Sequence, residues 1–182
     1  MRGKTRVTLA LGTLGLGLIG GCPANPLTIE TKFPLVSSLG QFTVEANVAM
    51  QQTGVARLNN GGFNIGSGSV ELSPADISIA VASATGGKGS VNFQGTSVLT
   101  VTVRIDDEAN LGTVCGTGDE YGPYNVTLDE NFVPVSVDPN QFTLTQTTRD
   151  LLNLGRFSLC VEVLSPVTGT VTVDSLTLNL GL

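Results

Sequence analysis

The strongest constraint on the fold is a period of two. In "TSVLTVTVRI", Leu99, Val101, Val103 and Ile105 fall on one side while Thr100, Thr102 and Arg104 fall on the other. "RFSLCVEV" repeats the pattern with Phe157, Leu159, Val161 and Val163, and "DISIAV" with Ile77, Ile79 and Val81. In "QFTVEANVAM", Phe42, Val44, Ala46, Val48 and Met50 share a face opposite Thr43, Glu45 and Asn47. Successive strand side chains point to opposite faces, so each alternation marks a strand with one buried and one wet side. The final segment, "GTVTVDSLTLNL", has Val171 and Val173 in one phase and Leu176, Leu178 and Leu180 in the other. The change at Asp174-Ser175 predicts a β-bulge or a strand that passes from one sheet to the next.

Glycine-rich and Asn/Asp-rich stretches punctuate these runs. Turns are expected at "NNGG" (Asn59 to Gly62), "GSGS" (Gly66 to Ser69), "TGGKG" (Thr85 to Gly89) and "DPNQ" (Asp138 to Gln141). One helix is expected, near residues 148–154 in "TTRDLLNLG", where Thr147 or Thr148 can cap the start and Gly155 can stop the end. About nine or ten strands without alternating helices predict an all-β fold, an antiparallel β-sandwich or jelly roll. The chain of 182 residues suits one such domain over residues 29–182, and nothing in that range reads as a linker.

The N-terminus has a different logic. A basic start, "MRGKTR", precedes an apolar run, "VTLALGTLGLGLI", and then small residues before Cys22. That order is what an export signal needs, and the run is too short and glycine-rich for a comfortable membrane span. "Ile19-Gly20-Gly21-Cys22" resembles the lipobox of bacterial lipoproteins, with Ile19 and Gly20 where Leu and Ala or Ser are commoner. The resemblance covers residues 1–22 only. It implies a signal peptide, residues 1–21, that is removed, a Cys22 that receives acyl chains, and a short tether over 22–28. It also implies a protein held on a cell-envelope membrane, and Pro23, in place of an inner-membrane Asp, points to the outer membrane. Several acyl chains give anchoring that one cannot.

Charge narrows the partners. Arg2, Lys4 and Arg6 all precede the apolar run, which leaves six scattered bases against fifteen acids after it. Nucleic acid needs a basic track to replace its counterions, and none exists here. The expected partners are the membrane, through the lipid, and a polysaccharide or an envelope protein.

Of three cysteines, lipidation uses one. Cys115 and Cys160 remain, and in an exported chain an even pair reads as a disulfide. The strand pattern puts Cys160 opposite its core neighbours, so the bond would staple a loop across the outside of a sheet. Two thiols without any histidine make half a zinc site.

The lack of histidine also removes the commonest general base and the usual serine-hydrolase triad. Carboxylates are left. A pair drawn from Asp107, Asp119 and Asp129 suits glycoside hydrolysis, but with no Trp and two Tyr the platforms that hold sugars are scarce. No enzyme is expected. Asp106, Asp107 and Glu108, with Asp119 and Glu120 from a neighbouring loop, are a candidate calcium site; the alternative is that solvated loops collect acids. No other cofactor is expected. "YGPY" places Tyr121 and Tyr124 beside Gly122 and Pro123, either as a constrained recognition loop or as a turn whose rings plug one end of the sandwich. A lipid-anchored binding or adhesion module is the expected role, with a structural or assembly component of the envelope as the alternative.

Overall fold

The computed structural model describes residues 28–34, 41–58, 64–82 and 97–181. The signal peptide, Cys22, most of the tether and the turns expected at 59–62 and 85–89 lie outside these residues. The described chain is all-β. Its strands are β1 (Thr28–Pro34), β2 (Gln41–Val44), β3 (Ala49–Arg57), β4 (Ser67–Glu71), β5 (Ile77–Val81) and β6 (Ser97–Asp106). They continue with β7 (Asp119–Leu128), β8 (Pro134–Asp138), β9 (Gln141–Thr143), β10 (Arg156–Leu164), β11 (Gly169–Val173) and β12 (Ser175–Gly181). Two helices interrupt them, a single turn α1 (Val114–Thr117) and a longer α2 (Gln146–Leu154).

One layer is a five-stranded antiparallel sheet, β3-β10-β6-β7-β8. The other is built from two smaller sheets, β1-β12-β4-β9 and β2-β11-β5. These two are joined twice, because β4 leads into β5 and β11 into β12 while the same strands pair: Thr177 lies opposite Glu71 and Val173 opposite Ile77. The phase change at Asp174-Ser175 is therefore a strand passing from one sheet to the next, as the leucine and valine spacing requires. Asp76 pins this corner. It is 4% exposed. Its carboxylate accepts from Ser73 Oγ at 2.6 Å and from Ser175 Oγ, and its carbonyl accepts the Asp174 N–H at 2.7 Å.

The inner faces meet in a single core. Leu99, Val101, Val103 and Ile105 from β6 pack with Phe157, Leu159, Val161 and Val163 from β10, and Leu176, Leu178 and Leu180 join from β12. Fully burying one such aliphatic side chain contributes about 1.5–3 kcal/mol, so the alternating strands supply most of what holds the layers together.

Three expectations need correcting. The "QFTVEANVAM" run is two strands: Phe42 and Val44 are buried, but Asn47 turns the chain at φ 59° and leaves Ala46 and Val48 exposed. Asn tolerates that left-handed conformation better than most residues. "GSGS" is not a turn but mostly strand β4. Its Gly68 is required by close approach, since a Cβ there would lie 2.6 Å from Leu144 Cδ1 and 2.9 Å from the Asn179 carbonyl. Helix α2 starts earlier than expected: Thr145 is the cap, its Oγ1 accepting the Thr148 N–H at 3.1 Å, while Gly155 ends the helix at φ 74°. "DPNQ" behaves as expected and carries the chain from β8 in one layer to β9 in the other.

Candidate binding face

The outer face of the five-stranded sheet collects most of the exposed chemistry. Alternation that sends Leu159 and Val161 inward sends Ser158, Cys160, Glu162 and Leu164 outward from β10. The neighbours they meet on β6 are Asp106, Arg104, Thr102 and Thr100. On β3 they meet Val55, Thr53, Gln51 and Ala49.

One end of this face is covered. The connection between β6 and β7, residues 107–118, does not turn directly but folds back over the sheet as a strap. It runs through a short 3-10 turn at Glu108–Asn110 and then α1, which lies against β10, β6 and β3. Cys115 on α1 is bonded to Cys160 on β10, with Sγ atoms 2.08 Å apart and Cα atoms 5.1 Å apart. The staple across the outside of a sheet is thus in place, and it leaves Cys160 and Ser158 fully buried beneath the strap. Val114 is buried there as well. The strap ends at Gly118, where a Cβ would sit 2.9 Å from the Val114 carbonyl and 3.1 Å from Arg104 Cβ.

A charged ladder borders the strap. Arg104 Nη2 donates to Glu120 Oε2, its cross-strand partner, and Nη1 lies 3.7 Å from Glu162. Glu162 also accepts from Gln51 Nε2. Beyond the ladder the face is open and almost uncharged, with Val98 47% and Leu164 41% exposed beside Thr100, Asn125 and Thr127.

The five acids expected to hold calcium do not converge. Asp106 accepts from the Asp107 N–H at 2.7 Å, Asn110 Nδ2 at 2.9 Å and Thr117 Oγ1 at 2.7 Å, closing the base of the strap. Burial pushes this carboxyl up, but the hydrogen bonds from Asn110, Thr117 and Asp107 outweigh it and hold it below its ordinary value. Asp107 caps the 3-10 turn through the Ala109 N–H, and Glu108 lies 3.4 Å from Arg57 and 3.5 Å from Arg156. Asp119 and Glu120 are successive strand residues and so point opposite ways. Glu120 reaches Arg104, whereas Asp119 accepts from the hydroxyls of Thr145 and Thr148. Among the described residues no three His, Cys, Asp or Glu side chains form a group able to hold a metal ion. Asp129 likewise serves the backbone, accepting the N–H groups of Asn131 and Val133 at 2.8 Å each.

The tyrosines are also relocated. Tyr121 and Tyr124 are 1% and 0% exposed, so neither offers a recognition surface, and "YGPY" is a bulge inside β7 rather than a loop. Val101 pairs with Tyr124 and Val103 with Tyr121, so Gly122 and Pro123 together face the single residue Thr102. The extra residue lets two tyrosines three apart share the inner face. Gly122 sits at φ +145°, where a Cβ would press on Thr102 Cα at 3.1 Å. The Tyr124 hydroxyl donates across the sandwich to the Val70 carbonyl at 2.9 Å, and its ring meets Phe142 edge-on with centroids 4.9 Å apart. Burial, with Glu71 and Tyr121 adding to it, pushes the Tyr124 phenol well above its ordinary value, so it stays a neutral donor. Tyr121 donates to Thr148 Oγ1 at 2.6 Å and accepts the Thr145 N–H at 3.2 Å, tying β7 to the start of α2.

Sequence reading did not single out Asp76, nor the Arg104–Glu120–Glu162 ladder. The ladder was within reach, since all three residues fall on outward positions of alternating strands. No helix among the described residues is long and apolar enough to cross a membrane. No known family matches the chain, and neither a curated protein nor a solved structure shows significant similarity to it.

Proposed function

We propose that this protein is a lipid-anchored β-sandwich of a bacterial cell envelope, held by acyl chains on Cys22, and that it acts as a binding or adhesion module. The observation that carries this reading is the basic–apolar–small order ending in Ile19-Gly20-Gly21-Cys22. A disulfide between the two remaining cysteines fits an oxidising, exported setting. The contact surface in this reading is the open part of the outer face, around Val98, Thr100, Thr127 and Leu164, replacing the tyrosine and carboxylate sites expected at first. A polysaccharide or an envelope protein is the partner.

A second reading, an assembly component, is favoured by one observation. The edge strand β8 and its approach leave Val133 and Val135 each about half exposed, at 53% and 54%. Partner strands add at such edges, although Pro134 and the bulge against Leu128 blunt this one.

The test is expression in a lipoprotein-processing bacterium, comparing the chain with its Cys22→Ser variant. The expected result is a membrane-bound, detergent-extractable product whose N-terminal peptide carries diacylglycerol on Cys22, with the variant released from the membrane. An unmodified Cys22 in a soluble product would overturn the anchor. With the anchor established, Leu164→Asp should abolish adhesion to the partner surface, whereas Val135→Asp should do so if the edge strand is the contact.

A further inference from the structure

We infer that the strap over residues 107–118 is a redox-releasable cover on the outer face, opened by attack of a thiol on Cys115 Sγ and not on Cys160 Sγ. The two sulfurs have unlike surroundings. Cys160 is 0% exposed on the central part of the sheet, with Thr53 and Arg104 as its cross-strand neighbours. Cys115 is only partly buried, on a single helical turn whose next residues, Gly116 and Thr117, are exposed. A Cβ built on Gly116 would find nothing within 4 Å, so this side of the turn faces open space.

Thiol–disulfide exchange is an in-line displacement, with the attacking sulfur approaching opposite the leaving one. Cys160 has no exposed surface at which a thiolate could arrive. Cys115 keeps some, so a thiolate from solvent meets its Sγ first. A small thiolate therefore forms a bond to Cys115 Sγ while the Cys115–Cys160 bond breaks. Its electron pair goes to Cys160 Sγ, which takes a proton from water. A second thiolate then attacks the external sulfur of the mixed disulfide, releasing the oxidised reagent and leaving the Cys115 thiol. Two electrons pass from two thiols to the protein.

Once the bond is open the strap keeps one buried side chain, Val114, and otherwise surface contacts, among them the bonds from Asn110 and Thr117 to Asp106. The Glu108 pairs with Arg57 and Arg156 involve cations whose side chains are 66% and 65% exposed, and such pairs contribute little. The Ser158 hydroxyl donates to the Asp107 carbonyl at 2.7 Å at the near end only. Lifting the strap bares the row containing Ser158 and Cys160, which enlarges the outer face.

The experiment uses the full chain as its Cys22→Ser variant, so that one cysteine pair is present. It is treated with reduced glutathione without denaturant, quenched in acid and alkylated. Trypsin separates the two positions, since Arg149 and Arg156 lie between them. The expected result is glutathione on the Cys115 peptide in at least tenfold excess over the Cys160 peptide. Far-ultraviolet circular dichroism should be unchanged, and proteolytic cleavage within 107–118 should rise severalfold after full reduction. Glutathione on Cys160, reaction only under denaturing conditions, loss of the β signal on reduction, or no gain in strap cleavage would each overturn the inference.

Discussion

Two reversals of the chain are each organised by an aspartate, and they are held in different ways. Asp76, at the joint between the two small sheets, is buried and gathers the hydroxyls of Ser73 and Ser175. Asp106, at the base of the strap, gathers Asp107 N–H, Asn110 and Thr117, but at the surface. Water competes for the donors of Asp106 and screens its charge, whereas the Asp76 carboxylate is buried and its serine donors are only partly exposed. The exposed corner is also the one that carries the covalent clamp, a few residues on at Cys115. Where solvent weakens polar contacts, the chain uses a bond that solvent does not weaken.

The comparison yields measurements in descending order of effect. Replacing both Cys115 and Cys160 by alanine should destabilise the fold by about 3–4 kcal/mol in urea titration, from a loop of 45 residues. A loss below about 1 kcal/mol would mean that the 115–160 segment is already restricted in the unfolded ensemble. Asp76→Ala, which leaves two partly buried serine hydroxyls without their acceptor, should cost about 3 kcal/mol by the same titration. Ser175→Ala removes one charge-assisted bond to Asp76 and should cost about 1.5 kcal/mol, whereas Thr117→Ala at the exposed corner should cost less than half of that.

Asp106→Asn is expected to cost less than about 1 kcal/mol at neutral pH. Because the folded carboxyl titrates below its ordinary value, its contribution is complete above that value and fades as pH falls through the folded one. Chemical-shift titration of the Asp106 side chain should show the low midpoint in the folded protein, and the midpoint should rise in Thr117→Ala. An unchanged midpoint would mean that Thr117 does not set it.

What was legible in the sequence was whatever alternation or local chemistry encodes. The strands β6, β10 and β5, the crossing at Asp174-Ser175, the stop at Gly155 and the outward Cys160 all follow from side-chain period or a single residue's backbone preference. The helix cap was misplaced because Thr145, Thr147 and Thr148 are equally able to cap, and only packing decides. Thr148 is drawn inside by Tyr121 and Asp119, which leaves Thr145 to cap. The tyrosines stayed open between a recognition loop and buried rings because residues three apart fall on opposite faces of a regular strand, and the bulge at Gly122-Pro123 that reunites them depends on β6. The acids were misread because proximity along the chain says nothing of direction: Asp119 and Glu120 are adjacent and diverge. The Asp76 corner was invisible because Ser175 lies 99 residues away. The binding role rests on the N-terminal segment and gains no support from those sites.

Strand β1 gives the molecule a mechanical character. It is an edge strand, antiparallel to β12 through seven register pairs from Thr28–Gly181 to Pro34–Ser175. A load entering the domain at residue 28 along the strand axis acts on all of these pairs in shear, whereas the same load across the axis peels them one by one. From β12 the force divides, sideways into β4 and onward through Asp174 into β11, so both small sheets share it. Resistance of this kind is a rate, set by the barrier to opening and not by the equilibrium stability. For a domain tethered from its N-terminal side, the direction of pull would then decide how long it holds.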